Sequence, residues 1–214
     1  MTAQPPPDTD ALRAIARRTL RHYQDNARGF RDGTAEHDVS QNIAALLDAI
    51  DAEPPCDILD FGCGPGRDLA RLRELGHAPV GLDGCAAFAA MARETGCEVW
   101  QQDFLALDLP PARFDGVFAN ASLFHVPTRE LPRVLRELAH TLRTGGVLFS
   151  SNPRGRNEEG WSGERYGCYH DLAHWRDYLR AAGFAELHHY YRPPNLPRAQ
   201  QSWLATVWRK VGAE

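Results

Sequence analysis

The stretch CDILDFGCGPGRDLARL, residues 56–72, decides the fold of this chain. It begins as a short apolar run typical of a buried strand, continues with Gly62, Gly64 and Gly66, and ends in a helical pattern. Glycine costs backbone entropy, so three of them directly after a strand do not serve stability. They indicate that a ligand lies against the backbone at this turn, although a tight turn alone is the alternative.

The composition is that of a soluble globular protein. The chain has 214 residues, of which 43% are hydrophobic and 24% are charged, enough for one domain with a substantial core. Its net charge of −4 and the lack of a long basic run argue against a nucleic-acid groove and favour a small substrate. No apolar stretch approaches the roughly 20 residues that span a bilayer, and the first residues lack the layout of a signal peptide. We therefore predict a cytoplasmic protein without nucleic-acid or membrane partners.

Strand-like and helical segments alternate from residue 56 onward. The strand-like segments are 58–61, 79–83, 98–102, 116–120 and 147–151, and the helical ones are 67–75, 86–95, 129–142 and 171–182. This alternation predicts an α/β fold with a doubly wound, mostly parallel sheet. Residues 185–191 and 203–211 then resemble two successive strands without a helix between them. They complete a seven-stranded sheet in which the final strand is reversed.

Residues 1–52 precede this alternation. Residues 1–9 are predicted to be a flexible N-terminus, because they contain three consecutive prolines. Helices are expected at about 11–27 and 39–50, with a polar, glycine-containing loop between them from residue 28. Residues 10–52 are thus predicted to form a helical cap on a core of residues 53–214, within a single domain.

Open parallel sheets bind ligands at the carboxyl ends of their strands, and a glycine-rich first turn lets backbone N–H groups approach the ligand. Asp83 ends the next strand about 20 residues later, where an acid can bind ribose hydroxyls. Alternatively, it caps the helix that follows. Dinucleotide-binding oxidoreductases share this layout, but their GxGxxG fingerprint requires glycine at position 67, where this chain has Arg67.

The segment LDFGCGPGRDL, with Asp60 before the glycines, resembles motif I of the class I S-adenosylmethionine-dependent methyltransferases. In QQDF, Asp103 matches the acid that faces the adenine amino group in that family, and FDGVFANASLFHV is similar to its fourth-strand motif. The resemblance covers residues 56–211 and implies a Rossmann-like fold, with S-adenosylmethionine as cofactor and S-adenosylhomocysteine as product. The residues assigned to the cofactor are Tyr23, Asp60, Gly62, Gly64, Gly66, Arg67, Asp83, Gly84, Asp103, Phe104 and Asn120. A module that binds this cofactor without chemistry is the alternative.

Four further segments resemble something narrower, the C-terminal methyltransferase domain of ovothiol synthases. They are the pattern YxxNAxxFxxGTxxHDVSQN and the sequences ANASLFHVP, SSNPRGRNEEGWSGERYG and HYYRPPNLPRAQQSWLATVWRK. The resemblance implies a stand-alone enzyme that methylates the ring π-nitrogen of 5-thiohistidine. A separate sulfoxide synthase and lyase would supply that amino acid. Thiols, oxyanions and tellurite remain possible acceptors.

The loops around the expected site are rich in aromatic and charged side chains, as binding loops are. Tyr23, Asn120 and His125 are predicted to be catalytic, with Asn120 and His125 nearest the transferring methyl group and Tyr23 also in the pocket wall. The residues predicted to bind the acceptor are Phe30, Asp38, Phe124, Asn152, Arg154, Glu158, Trp161, Tyr166, Tyr191 and Arg192. A zwitterionic amino acid needs a cation for its carboxylate and an acceptor for its ammonium. Arg154 or Arg192 suits the first role, and Asp38, Glu158 or Asn120 suits the second.

The sequence predicts no metal site. His170 and His174 stand four residues apart in a predicted helix, a spacing that can bind a metal ion. No third ligand is obvious, so both are interpreted as surface residues. The cysteines form no CxxC pair and no zinc-finger spacing, and they are predicted to be free thiols. Activity is therefore expected to be independent of metal ions.

Overall fold

Strands and helices alternate along the chain in a computed structural model that describes residues 9–212. The helices are α1 Thr9–Asp25, α2 Ala27–Thr34, α3 Ser40–Leu47, α4 Arg67–Glu74, α5 Ala86–Arg93, α6 Leu131–Thr141 and α7 Leu172–Ala181, with short 3-10 helices at Leu123–His125 and Arg198–Gln200. The strands are β1 Asp57–Phe61, β2 Ala78–Asp83, β3 Glu98–Gln101, β4 Phe114–Asn120, β5 Leu142–Pro153, β6 Glu158–Ser162, β7 Arg165–Tyr169, β8 Phe184–Arg192 and β9 Trp203–Lys210. The predicted flexible N-terminus lies outside the described residues, except for Thr9, which begins α1.

Seven of the strands form one sheet in the order β3-β2-β1-β4-β5-β9-β8. The five strands from β3 to β5 are mutually parallel, whereas β9 is antiparallel to both β5 and β8. The predicted α/β fold with a reversed final strand is therefore confirmed. The chain runs outward from β1 in one direction and then continues from β4 in the other. The carboxyl ends of β1 and β4 thus flank the crevice in which such sheets bind ligands.

Successive residues of β1 pack on opposite faces of the sheet, as the two-residue repeat of a strand requires. Ile58 lies in a buried cluster with Ile43 and Leu46 of α3. Leu59 lies in the other large cluster, with Leu135 of α6. Both strand residues are completely buried. The two helix layers therefore hold the strand ends, and the turn after β1, in fixed positions.

Residues 27–34 form helix α2, so the polar loop predicted to begin at residue 28 is wrong there. Phe30 packs edge-to-face on Tyr23 of α1, with ring centroids 5.5 Å apart, and lies 5.1 Å from the ring of Phe88. The guanidinium of Arg67 donates to the Thr34 carbonyl at 2.7 Å and holds the end of the helix. A Cβ atom added to either glycine of α2, Gly29 or Gly33, would have no other atom within 4 Å beyond its chain neighbours and the backbone of the helix. Tertiary packing therefore stabilises a helix whose glycines disfavour it.

Residues 158–169, interpreted from the sequence as part of a glycine-rich loop, form the β6–β7 hairpin as a separate two-stranded sheet. Its turn contains Gly163 at φ +61°, a conformation that favours glycine. The hairpin packs against α1, where Arg18 pairs with Glu164 at 2.7 Å. The same guanidinium lies 4.1 Å from the ring centroid of Trp161. The hairpin therefore fixes the position of α1.

Among residues 9–212, no helix is long and apolar enough to cross a membrane. Those residues also contain no group of three or more His, Cys, Asp or Glu side chains placed to hold a metal ion. His170 precedes α7 instead of lying in it, so its predicted helical spacing to His174 is wrong. It is also buried, with 7% of its surface exposed, and not a surface residue.

Candidate active site

A cavity of about 630 Å³ lies at the carboxyl ends of β1, β2 and β4. Residues of α1 and α2 form its opposite wall. The predicted site residues that line it are Tyr23, Phe30, Asp38, Gly62, Gly64, Arg67, Asp83, Gly84, Asp103, Phe104, Asn120, His125 and Arg192. The cavity occupies the crevice that the strand order specifies, and most of the predicted cofactor set meets there.

The turn after β1 needs its glycines for two reasons. Gly62, Gly64 and Gly66 all have positive φ, at 81°, 53° and 94°, which L side chains rarely adopt. An added side chain on Gly62 would collide with Ser122, and one on Gly66 would lie 2.8 Å from the Cα of Ala92. Gly66 therefore lets α4 approach α5, and it serves packing instead of lining the cavity.

Gly64 is the glycine that faces open space. A Cβ added there would meet only Phe30 Cε1, at 3.9 Å. Its backbone N–H donates to Asp83 Oδ2 at 3.0 Å, and the Cys85 N–H donates to Asp83 Oδ1 at 2.8 Å. Asp83 thus ties the turn to the start of α5 and is not simply a cap of that helix. Burial raises the pKa of Asp83 to about 6, against the lowering effect of the two N–H donors.

Two more carboxylates lie near the turn. Asp60 is buried beneath it, and its Oδ2 has no hydrogen-bond partner among the described residues. Burial and the charges of Asp68 and Asp83 raise the pKa of Asp60. Asp68 lines the cavity and pairs with Arg67 at 2.6 Å. A cationic ligand at this end of the cavity would relieve the repulsion between these carboxylates, which contributes to the raised pKa of Asp60.

Asn120 lies on the cavity wall, but its side-chain amide is engaged. Its Oδ1 accepts from Asn42 Nδ2 at 2.9 Å, and its Nδ2 donates to Asp68 Oδ2 at 3.1 Å. Tyr190 Oη extends this network by donating to Asn42 Oδ1 at 2.8 Å. The network joins α3, α4, β4 and β8 and fixes the wall. Asn42 and Tyr190 had no sequence pattern that would have revealed this role.

Tyr23 and His125, both predicted to be catalytic, form a hydrogen bond of 2.8 Å between Tyr23 Oη and His125 Nε2. The other ring nitrogen, Nδ1, lies 2.6 Å from the carbonyl oxygen of Tyr166. Burial lowers the pKa of His125 to about 4, and the Arg165 guanidinium contributes to this lowering. Burial also raises the pKa of Tyr23. Both side chains are therefore neutral near pH 7.

Arg192 and Asp38 form the far end of the cavity. Arg192 Nη2 donates to the Asp38 carbonyl oxygen at 2.8 Å. Its Nε is buried and has no hydrogen-bond partner among the residues that the structure describes. The Asp38 carboxylate accepts from the Ser40 N–H at 2.9 Å, which lowers its pKa. Arg192 thus lines the cavity and keeps one buried N–H group with unused bonding capacity.

The other predicted site residues lie outside the cavity lining that the described part of the chain provides. They are Asp60, Gly66, Phe124, Asn152, Arg154, Glu158, Trp161, Tyr166 and Tyr191. Phe124 packs on the ring of His125, with centroids 3.9 Å apart. Asn152 is buried. Tyr166 contacts the site through its backbone carbonyl, not through its ring.

The charged loop residues among these have other partners. Arg154 donates to the Arg198 carbonyl at 2.8 Å and lies 5.4 Å from the ring centroid of Tyr191. Glu158 accepts from the backbone N–H of Arg156. Of the two arginines considered for an acceptor carboxylate, the one on the cavity wall is therefore Arg192.

Helix α1 supplies wall residues that the sequence interpretation missed. They are Ile15, Ala16, Thr19 and Leu20. These residues recur at intervals of four and lie on one side of the helix with Tyr23. That helical stripe was visible in the sequence, but it is equally typical of an ordinary buried face.

Residues 58–146 match the model of a family described as a methyltransferase domain. The chain is 35% identical over 116 residues to trans-aconitate 2-methyltransferase from Azoarcus sp. (strain BH72), covering 53% of this chain and 45% of that protein. It is 33% identical over 100 residues to probable tRNA methyltransferase 9B from Mus musculus, covering 46% of this chain and 22% of that protein. The chain thus spans less than half the length of either relative.

The fold is shared with a solved structure over almost the whole chain. A crystal structure of 1,6-didemethyltoxoflavin-N1-methyltransferase from Burkholderia thailandensis contains bound 1,6-didemethyltoxoflavin and S-adenosylhomocysteine. It is 23% identical to this chain, with a TM-score of 0.75, and the match covers 99% of this chain and 94% of that one. This likeness agrees with the predicted Rossmann-like methyltransferase fold.

Proposed function

We propose that this chain transfers a methyl group from S-adenosylmethionine to a small acceptor, since residues 58–146 match the model of a methyltransferase domain. The observation that carries the proposal is the open space over Gly64 beside the Asp83 carboxylate, at the switch point of the sheet. A purely structural turn would be filled at this point. The cavity volume of about 630 Å³ is typical of a small-molecule site.

The residues at this end of the cavity fit S-adenosylmethionine. Each Asp83 oxygen accepts one backbone N–H and keeps bonding capacity for a ribose hydroxyl. Asp103 and Phe104 lie on the wall as candidates for the adenine, and the carboxyl groups of Asp60 and Asp68 favour a positive charge. When bound, this cofactor supplies a methyl group activated by a cationic sulfur.

The chain's own task in such a reaction is alignment and the exclusion of water, because methyl transfer is an in-line displacement. The rings of Tyr23, Phe30 and Phe88 pack together, with centroids between 5.1 and 5.5 Å apart, and line the cavity. They form an apolar wall beside the polar turn after β1. This wall supports an acceptor that is held between α1, α2 and the cofactor.

Asp83→Asn is expected to weaken S-adenosylmethionine binding by a factor of roughly 10 to 150. That range corresponds to about 1.5–3 kcal/mol, typical of a hydrogen bond to a charged group. The asparagine keeps the size of the side chain and one acceptor oxygen for the backbone N–H groups. Isothermal titration calorimetry measures the change, and Asp177→Asn, at an exposed position on α7, is the matched control.

The affinity should also depend on pH. Because burial raises the pKa of Asp83 to about 6, this carboxyl is protonated below that pH in the ligand-free protein and accepts fewer hydrogen bonds. Binding should therefore strengthen as the pH rises through this value, and Asp83→Asn should remove that dependence. Equal affinities about one unit below and above the pKa would contradict the assigned role.

For the acceptor, the narrower hypothesis is the ring π-nitrogen of 5-thiohistidine. The support is the resemblance in the loops, together with the zwitterion-binding groups on the cavity wall. Arg192 offers a buried Nε–H without a partner among the described residues, which suits a carboxylate, and the Asp38 carboxylate suits an ammonium. Asn120 is less suited, since both ends of its amide are engaged. A separate sulfoxide synthase and lyase would have to supply this acceptor.

Arg192→Met is expected to raise the KM for the acceptor roughly tenfold while leaving cofactor affinity unchanged, since it removes one charged hydrogen bond. Arg154→Met is the matched control, because Arg154 stacks outside the cavity and should change neither constant. Steady-state kinetics with varied acceptor measures both variants. Equal effects of the two substitutions would contradict an acceptor subsite at Arg192.

A nucleic-acid acceptor is not part of the proposal. One relative is named as a probable tRNA methyltransferase, but it matches over less than half of this chain. The net charge of −4 gives no overall excess of positive charge for a polyanion.

A further inference from the structure

The backbone of the β6–β7 hairpin fixes which partner donates in the Tyr23–His125 hydrogen bond. A carbonyl oxygen only accepts hydrogen bonds, so the contact of 2.6 Å to Tyr166 requires that His125 Nδ1 carries the ring proton. The Nε2 lone pair is then free, and Tyr23 Oη donates its proton to it at 2.8 Å. The Tyr23 oxygen is left as a hydrogen-bond acceptor on a residue that lines the cavity.

The surroundings hold this polarity. The Tyr166 N–H donates to Thr19 Oγ1 at 3.1 Å, so the backbone of this one hairpin residue forms hydrogen bonds with both α1 and His125. Thr19 lies one turn before Tyr23 on α1. Two charged groups face Tyr23. Arg165, through a side-chain hydrogen bond and its charge, lowers the pKa of Tyr23 against the effect of burial, whereas the charge of Asp83 raises it. The opposite tautomer would leave the Nδ1 lone pair against the carbonyl oxygen.

We propose that Tyr23 and His125 form one proton-accepting unit, and that the natural acceptor carries an N–H or O–H at the atom to be methylated. This inference rests on the proposed methyltransferase function and narrows its substrate class. A heteroaromatic ring nitrogen that bears a proton belongs to the class. Thiolates and oxyanions carry no proton at the atom to be methylated and do not need the unit.

The step balances in atoms and charge. The acceptor atom forms its bond to the methyl carbon as its bond to hydrogen breaks, and the donor sulfur keeps the pair of the broken carbon–sulfur bond. The acceptor's proton passes to Tyr23 Oη while the Tyr23 proton passes to His125 Nε2. The positive charge of the sulfur thus ends on the His125 imidazolium. Because burial holds the pKa of His125 at about 4, the ring then returns its proton to solvent.

The first test observes the pair without any reaction. Long-range proton–nitrogen NMR spectra of protein labelled in its histidines report which ring nitrogen of His125 is protonated. We expect Nδ1 to be protonated and Nε2 to be bare at neutral pH, and Tyr23→Phe to shift the Nε2 signal. A protonated Nε2, or a His125 that titrates like an exposed histidine, would overturn the proposal.

The second test is single-turnover methyl transfer. Tyr23→Phe and His125→Gln should each slow transfer to a proton-bearing acceptor about 10²-fold or more. The double variant should be no slower than the slower single variant, because the two residues act as a unit. The rates are measured at saturating cofactor, because Tyr23 is also assigned to cofactor binding and a change in affinity must not enter the comparison. Tyr178→Phe is the control, since this tyrosine packs on His170 and lies outside the cavity lining.

The outcomes separate this inference from the proposed function. Full transfer rates in Tyr23→Phe, or equal losses with thiolate and N–H acceptors, would overturn the inference while methyl transfer itself stands. A wild-type protein that methylates no acceptor would overturn the proposed function, and the substrate-class inference would fall with it. In that case the NMR spectra still report whether the pair has the polarity derived from the geometry.

Discussion

Gly64→Val is expected to abolish S-adenosylmethionine binding in a protein that still folds. The protein itself has room for the side chain, because a Cβ at this position meets only Phe30 Cε1, at 3.9 Å. The branched side chain would instead fill the space through which a ligand reaches the backbone N–H groups of the turn. The positive φ of 53° adds a strain of about 1–3 kcal/mol to the folded state. Calorimetry should detect no binding.

Gly76→Val provides the matched control. Gly76 follows α4, has a φ of +88°, and has nothing within 4 Å of an added Cβ. It therefore carries a similar backbone strain without lying at the cavity, and its affinity should equal that of the wild type. Circular dichroism and thermal unfolding show whether both variants fold. Retained binding in a folded Gly64→Val protein would mean that the glycine serves only the turn.

The second large effect is acceptor selectivity. We expect 5-thiohistidine to be methylated roughly 10⁴-fold more efficiently than histidine. Histidine lacks the sulfur, so polar groups of the pocket that bind the sulfur would be left without a partner. The chemistry gives an independent reason, since the sulfur pushes electron density into the ring and makes its nitrogen a better nucleophile. The ratio of the two kcat/KM values, read by mass spectrometry, measures the effect.

Fragmentation of the product locates the methyl group and provides the counter-test. Comparable efficiency with histidine, or a product methylated on sulfur, would contradict the thiohistidine hypothesis. Either result would leave the broader methyltransferase proposal in place. Histidine as the acceptor would be compatible with the Tyr23–His125 inference, because its neutral imidazole carries an N–H. A thiolate as the acceptor would contradict that inference.

The parts of the fold that depend on local patterns were predictable from the sequence. The apolar run before Gly62 predicts β1, and the position of Asp83 at the end of the next strand predicts its approach to the turn. Both follow from the spacing of residues along the chain, because the regular geometry of a strand determines which residues lie at its end. The reversed last strand was predictable for the same reason, because no helix separates residues 185–191 from residues 203–211.

The parts that depend on contacts between distant segments were not predictable. The glycines of residues 28–34 favour a loop, but the packing of Phe30 on Phe88 makes a helix. Arg154 and Arg192 look equivalent in the sequence, and only the course of β8 brings Arg192 to the cavity. The partner of His125 is a backbone carbonyl of the hairpin, which residue identity cannot reveal.

The most direct test of the proposed methyl transfer is a single incubation. The wild-type protein receives S-adenosylmethionine labelled in its methyl group, with a panel of 5-thiohistidine, histidine, thiols and catechols. We predict S-adenosylhomocysteine and an equal amount of labelled product, with the label on a ring nitrogen of 5-thiohistidine, and no turnover by Gly64→Val. Cofactor that binds but yields no S-adenosylhomocysteine with any acceptor would contradict the proposed methyl transfer and identify a binding module without chemistry.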